Sequence, residues 1–420
     1  MSTPTPGQGP WAPRPGYQRA RLPQLSTAAA GAPRGGGATP QGPGPHPPMG
    51  PAGPPPWSAS GARGPGGWRR VVGTVLAVLG ALGLAAVLVV VSASATDMSQ
   101  VALATLLALI PLGIVLLVVF WIDRWEREPW SMMLLAFLWG AGFSTVISLV
   151  VNTTTTVLVA ESSYDLEGAM LVSAVVSAPI IEELTKGLGV LVVFLIWRRT
   201  FNGAVDGIVY AAVVAGGFAF AENILYFVRY YELIVEVFIL RGVFSPFTHV
   251  IFTAFTGAAI GMSARRRSRA AWLWCAPIGL GCAIILHAFW NGVIAASPQY
   301  YFLVGIPFFI ACVGMIIWLR WAERMNMRRR LADYSRAGWF SPGEVAMLTT
   351  GSGRSQGRRW AAARGPVAAR AMADFQKGAA ELAQLRQQAV DGHAGGDFAA
   401  EERRALERIT QSRRVFLGQA

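Results

Sequence analysis

Glu182, Glu183 and Lys186 stand within one helical turn of each other in the stretch PIIEELTKGL, and that stretch lies inside an apolar run from about Ala169 to Trp197. Carboxylates move protons and hold cations, an ammonium group neutralises or polarises a carboxylate, and all of them are costly in hydrocarbon. At about 100° per residue, Lys186 shares a helix face with Glu182 four positions back and Glu183 three back, so it can approach either carboxylate but seldom both equally. The spacing predicts one paired glutamate and one left free. A carboxylate in such surroundings is suited to act as general base or acid near neutral pH.

The next three apolar runs carry further groups of this kind. Glu222 and Asn223 occur in GGFAFAENILYF, His249 in SPFTHVIFTAF, and His287 with Asn291 in ILHAFWNG. His287 and Asn291 are four apart and project together, a pair able to bind or polarise one substrate oxygen in the manner of an oxyanion hole. His249 and His287 with a carboxylate such as Glu222 or Glu183 also make a donor set of N and O atoms that leaves a fourth position for water, as catalytic zinc requires, although no H-E-x-x-H helix is present. A single membrane histidine or Glu–Lys pair more often staples helices together. Four consecutive spans bearing such groups, all at compatible depth, point instead to one polar site. Counted from the span ends at about 1.5 Å per residue, Glu182, His287, Glu222 and His249 lie roughly 10 to 20 Å below the expected outer face, so the cavity opens outward.

The elements that must position these groups follow from composition. Of 420 residues, 53% are hydrophobic and only 14% charged, which excludes an ordinary soluble domain. Apolar runs long enough for the hydrocarbon core recur at about 71–93, 101–122, 132–158, 169–197, 204–228, 243–263, 271–296 and 301–321. The fold class is therefore all-α, a polytopic membrane bundle of about eight transmembrane helices. About 70 residues precede the first run, which does not read as a cleavable signal.

Arginine placement gives the orientation. Arg69 and Arg70, Arg124 and Arg127, Arg198 and Arg199, Arg265 to Arg267 with Arg269, and Arg328 to Arg330 mark every second boundary, whereas the intervening loops are acidic or neutral except the one carrying Arg229 and Arg241. Both termini are expected inside. The net charge of +13 is spread over juxtamembrane loops and tail, which fits anionic lipid headgroups of the bilayer and not a nucleic acid. Lysine is scarce: only Lys186 and Lys377 occur. Cys275, Cys282 and Cys312 fall in predicted spans and read as packing residues.

Three regions result. Residues 1–68, rich in Pro and Gly, are expected to be a disordered cytoplasmic tail in which His46 is solvated; 69–321 form the multi-span domain; and 322–420 form a helical cytoplasmic tail, with helix starts at Ser341 and Asp397 and a lone His393 in a Gly-rich loop. Asp206 reads as a helix cap. Asp123, Glu126 and Glu128 of DRWEREP, with Trp121, Trp125 and Trp130, read as a charged turn in an aromatic belt, and the N-T-T pattern at Asn152, which fits a surface glycosylation site but lies in a predicted span, as chance.

EELTK, FAFAEN, a histidine in the next span and HAFWN in the one after, with DRWEREP upstream and DGIVYA from Asp206, closely resemble the PrsW family of intramembrane proteases over residues 123–291. That family is related to the CAAX prenyl protease and bacteriocin-processing group of glutamate-dependent intramembrane proteases, sometimes described as metalloproteases. The resemblance implies peptide hydrolysis inside or at the edge of the bilayer. It matches Glu182 and Glu183 to the paired glutamates of the first motif, Lys186 to its basic residue, Glu222 and Asn223 to the second, and His249 and His287 to the two histidines, with Asn291 completing H-x-x-x-N. One glutamate with His249 is then expected to activate water, while His287 and Asn291 stabilise the oxyanion. A Zn2+ on His249, His287 and Glu222, and membrane-spanning substrates such as single-span anti-sigma factors cut near the outer leaflet, are further implications. The wider group usually has its basic residue one position later, as E-E-x-x-x-R, and a histidine where this chain has Glu222. A proton- or ion-coupled transporter would also need buried Glu, Lys and His but commonly shows two matching halves, which are not visible here; a non-catalytic scaffold would tolerate loss of these motifs, and the chain retains them. Rhomboid-like G-x-S-G and presenilin-like G-x-G-D signatures are absent from the spans.

Overall fold

The computed structural model describes residues 67–123, 128–198, 201, 203–264, 266, 268, 270–296, 300–392 and 398–419. The expected disordered tail, apart from its last two residues, lies outside them, as do His46, Arg124 to Arg127, Arg199, Arg265, Arg267, Arg269, His393 and Asp397.

Among the described residues, eight long helical segments come first: α1 (Gly67–Ser94), α2 (Met98–Ile122), α3 (Trp130–Ser163), α4 (166–196), α5 (Ala204–Arg229), α6 (Tyr231–Ala264), α7 (Trp272–Ala296) and α8 (Ile306–Arg336). All but α4 contain a stretch long and apolar enough to cross a membrane, and α4 is the one with Glu182, Glu183 and Lys186. Three boundaries differ most from the sequence expectation. Helix α3 continues to Ser163, α8 runs on to Arg336, and α6 starts at Tyr231, so Arg241 lies within that helical segment and not in a loop. Glu232, Glu236 and Arg241 dilute the hydropathy of its first half, which hides the helix from a composition window.

Small residues let these helices meet backbone to backbone, the usual solution where lipid removes the hydrophobic drive for association. A Cβ added at Gly207 of α5 would strike the Gly257 carbonyl of α6, and one at Gly257 would strike Gly207 in return. Gly140 of α3 sits in the same way against Val214 of α5. Helix α5 is consequently buried along nearly its whole length and forms the axis of the bundle, whereas α1 and α8 present exposed apolar faces. Exposed Trp68, Trp121 and Trp130 lie near the ends of α1, α2 and α3, and exposed Trp321 of α8 lines one cavity with Trp121, an arrangement suited to an interfacial belt. Glu128, expected to be a surface charge, is buried there: it accepts from the Tyr210 hydroxyl at 2.6 Å, and its backbone N–H donates to Asp123 at 3.1 Å. Asp206 lies buried in the first turn of α5, after the N-cap Gly203.

Beyond α8 the helices α9 (Pro342–Leu348), α10 (Gly351–Ala362), α11 (Pro366–Val390) and α12 (Phe398–Leu417) close on a second apolar core of Leu348, Met372, Phe375, Leu382, Ile409 and Phe416. Ser341 and Glu344 cap α9 reciprocally, and Arg413 of α12 bonds Glu344 at 2.8 Å.

Gly207→Val is expected to abolish the α5–α6 contact and with it the folded bundle, whereas Gly281→Ala, where an added Cβ meets nothing within 4 Å, is expected to be neutral. Thermal unfolding and monodispersity in detergent compare the two.

Candidate active site

Helix α4 passes through a π-helical turn at Ser173–Ser177 before its regular part begins at Ala178; such turns occur mostly at functional sites. Lys186 is wholly buried. Its Nζ donates to Glu183 Oε1 at 2.8 Å and to Glu182 Oε2 at 3.4 Å, and it sits 4.1 Å from the centre of the Phe218 ring, a cation–π contact. Both glutamates pair with Lys186, unequally as their spacing requires, so neither is left free as the sequence predicts.

The inequality separates their roles. Glu183 has no exposed surface and collects three donors: Lys186, the Thr253 hydroxyl at 2.8 Å and His287 Nδ1 at 3.1 Å. It ties α4 to α6 and α7. Glu182 keeps only long contacts, to Lys186 and to Asn152 Nδ2, each at 3.4 Å, and lines a cavity of about 110 Å3.

The histidines are held alike. His249 Nε2 lies 3.0 Å from Glu222 Oε2, and His287 Nδ1 lies 3.1 Å from Glu183 Oε1. A carboxylate offers only acceptors, so in neutral imidazoles these nitrogens carry the protons, and the opposite nitrogens present lone pairs. Those two, His249 Nδ1 and His287 Nε2, are 3.9 and 4.0 Å from the same Glu182 Oε2. The rings stand nearly perpendicular with centroids 5.2 Å apart, and Phe252 stacks on His287 at 4.9 Å.

Glu182, His249 and His287 therefore converge, with one ligand atom from each inside a 4.8 Å radius of the others. Tetrahedral zinc spaces its N and O ligands by about 3.3 Å, so the observed separations require only a small contraction. A carboxylate on the outer nitrogen of each histidine is the support that metal-ligating imidazoles commonly have. Charge agrees: three carboxyl groups, Glu182, Glu183 and Glu222, face two basic side chains, Lys186 and Arg241, so with all five ionised one negative charge is left for a cation or proton to balance. Lys186 Nζ also lies 3.1 Å from His249 Nδ1, so an ion held by the triad would confine the ammonium to Glu183. The residues fit a divalent ion. Glu222, expected as the third ligand, instead pairs with Arg241 and reaches only His249, while Glu182 takes the place beside both imidazoles.

Arg241 enters from the first half of α6. Its Nη2 pairs with Glu222 Oε2, its Nε donates to Asn223 Oδ1 at 2.9 Å, and its guanidinium lies 4.0 Å over the Tyr226 ring. Asn291 lines the cavity and donates to the Ala174 carbonyl at 2.8 Å, within the π-helical turn of α4.

Residues 128–318 match the description "PrsW family intramembrane metalloprotease". The chain is 32% identical over 242 residues to Protease PrsW of Clostridioides difficile (strain 630), covering 56% of this chain and 94% of that protein. The chain belongs to the PrsW family. Protease PrsW of Geobacillus kaustophilus (strain HTA426) is 29% identical over 46% of this chain and 81% of its own length, and that of Bacillus subtilis (strain 168) is 27% identical over 47% and 85%. No solved structure gives a significant match. The protein is thus a multi-pass membrane peptidase of a family with bacterial members, and its PrsW region ends within α8, ahead of α9 to α12.

Sequence reading of this PrsW region missed Arg241, Asn152 and Thr253. Thr253 follows His249 by four residues, a spacing that puts both on one face of α6. Asn152, whose N-T-T pattern was read as chance, instead has its side chain between Glu182 and Ser177, accepting from the latter at 2.9 Å.

Lys186→Met would leave two buried carboxylates without their cation and is expected to destabilise the bundle by about 3–5 kcal/mol, with part of that loss recovered by Glu183→Gln in the same chain. Thermal unfolding of both variants in detergent checks the order.

Proposed function

We propose that the chain cleaves peptide bonds of membrane-spanning proteins with Glu182 as the proton-transferring carboxylate and His249 and His287 as its partners. The single observation that supports this most is the doubled carboxylate–histidine pair, Glu222–His249 and Glu183–His287, whose two inward lone pairs meet at Glu182.

In this reading a water molecule donates hydrogen bonds to Glu182 and the inward imidazole nitrogens. Glu182 takes its proton as the oxygen attacks the scissile carbonyl, and returns the proton to the departing amine. Glu183, Thr253 and Lys186 hold His287 in the required tautomer; Glu222, with Asn223 and Arg241 beside it, does the same for His249. Asn291 keeps α7 registered against the π-helical turn of α4. A divalent ion such as Zn2+ held by Glu182, His249 and His287 would acidify the water and polarise the carbonyl. With the arginine pattern setting both termini in the cytoplasm, the cavity belongs to the outer half of the bilayer. Single-span anti-sigma factors are the substrate class that the family resemblance favours.

Two outcomes are expected. In bilayers, with a panel of single-span reporters, Glu182→Gln should lower kcat/KM by roughly 10²–10⁴-fold while the protein stays folded; a variant that cuts like the wild type would sink the glutamate mechanism. Elemental analysis should find one divalent ion per chain in wild type and none in His249→Ala. A metal-free wild type that still cleaves would reduce the mechanism to the carboxylate and imidazoles alone.

A further inference from the structure

Building on that peptidase reading, and whether or not an ion is held there, the hydrolysis needs an N–H donor for the oxyanion that the side chains on the Glu182 side of the cavity do not supply. When water attacks, its oxygen bonds to the carbonyl carbon, its proton goes to Glu182, and the carbonyl π pair moves onto oxygen. That oxyanion needs N–H donors until the pair returns, the C–N bond breaks and the amine collects the proton. His287 was the expected donor. Its Nδ1 is engaged with Glu183, which leaves an acceptor at the inward Nε2. His249 is engaged with Glu222 in the same sense. Asn291 spends one of its two amide hydrogens on the Ala174 carbonyl, which leaves a single neutral N–H, a weaker donor to an anion than a guanidinium.

We infer that Arg241 is the oxyanion-binding residue. Its guanidinium lines the same cavity of about 110 Å3 as Glu182, His249 and His287. Nε is fixed on Asn223 and Nη2 on Glu222, and the plane lies over Tyr226. Nη1 makes no hydrogen bond among the described residues, so its two N–H groups are held by the bonds at Nε and Nη2 in a partly buried site, the arrangement that makes an electrostatic donor effective. The backbone supports the same assignment. Arg241 lies in the π-helical turn Ile239–Phe244 of α6, just before the helix is interrupted at 245–247, and Ser245, Pro246 and Thr248 line the cavity beside it. An interrupted helix at membrane depth is found where backbone borders a polar cavity.

A simpler role, neutralising Glu222, predicts something different, and a double-mutant cycle separates the two. The full chain in bilayers is compared as wild type, Arg241→Met, Glu222→Gln and the combined variant, which leaves neither buried charge unpaired. Direct contact with the oxyanion predicts that Arg241→Met lowers kcat about 100-fold in both the Glu222 and the Gln backgrounds, with KM within about 3-fold, and that methylguanidinium restores part of the loss. A cost below about 3-fold in the Glu222→Gln background would overturn the assignment, since Arg241 would then act only through the charge of Glu222. Affinity for a phosphinic peptide, a stable tetrahedral anion, gives a reading without turnover: at least 10-fold weakening is expected in Arg241→Met, and unchanged affinity overturns the assignment. Activity lost in Glu182→Gln but kept in Arg241→Met removes this inference alone. A wild type that neither cuts reporters nor binds the phosphinic peptide removes the peptidase reading, and this inference with it.

Discussion

An ammonium group inside a bilayer has to find anions, and the placement of Lys186 organises everything around it. With no exposed surface, it draws Glu183 to 2.8 Å and Glu182 to 3.4 Å, and rests on the Phe218 ring of α5. Glu183 in turn orders Thr253 and His287. Four helices are thereby tied to one charge, and the carboxylate left with the weaker hold is the one that borders the cavity. Such a cluster is expensive to assemble and sensitive to any single deletion, so its contribution to net stability is small.

The bundle and its charged residues were legible because the bilayer imposes a simple code. Apolar runs of the right length gave the helices, and charges within four of them gave the groups that meet at the cavity. Spacing alone anticipated the unequal pairing of Lys186, because three and four residues are the only intervals that bring side chains together on a helix. It could not assign which carboxylate would join the histidines, since that depends on contacts between helices distant in sequence. Arg241 illustrates the limit. Its neighbours Glu232 and Glu236 lower the local hydropathy, so a segment that runs beside α5 reads as a loop, and the partner of Glu222 is lost with it. Asn152 was lost differently, to a surface motif that its depth in the membrane makes irrelevant.

Two of the four π-helical turns among the described residues border the candidate site, and the other two lie at Trp139–Ser144 of α3 and Tyr301–Gly305. Helix α4 has a π-helical turn at Ser173–Ser177 whose Ala174 carbonyl receives Asn291, and α6 has another at Ile239–Phe244 followed by a break. Ser245 and Thr248 side chains bond the carbonyls of Leu240 and Ser245 at 2.6 and 3.0 Å, so the interruption does not leave those oxygens bare. The glycine-lined crossings among α3, α5 and α6 lie away from these two site-bordering turns and are tightly packed. Rigid contacts hold the bundle, while adaptable turns border the place where a second chain must be admitted.

The size of the cavity has a consequence for which chains those are. At about 110 Å3 it is small beside a helix with its side chains, about 10–12 Å wide. Under the proposed function, a short length of a transmembrane helix would be drawn out into extended chain to enter it. Selection then becomes a matter of how readily a given stretch of helix unravels. Each glycine eases that unwinding by about 1 kcal/mol and each proline by about 3 relative to alanine. Two substrates with the same residues at the cut bond can differ a thousandfold in susceptibility because of the helix that surrounds it.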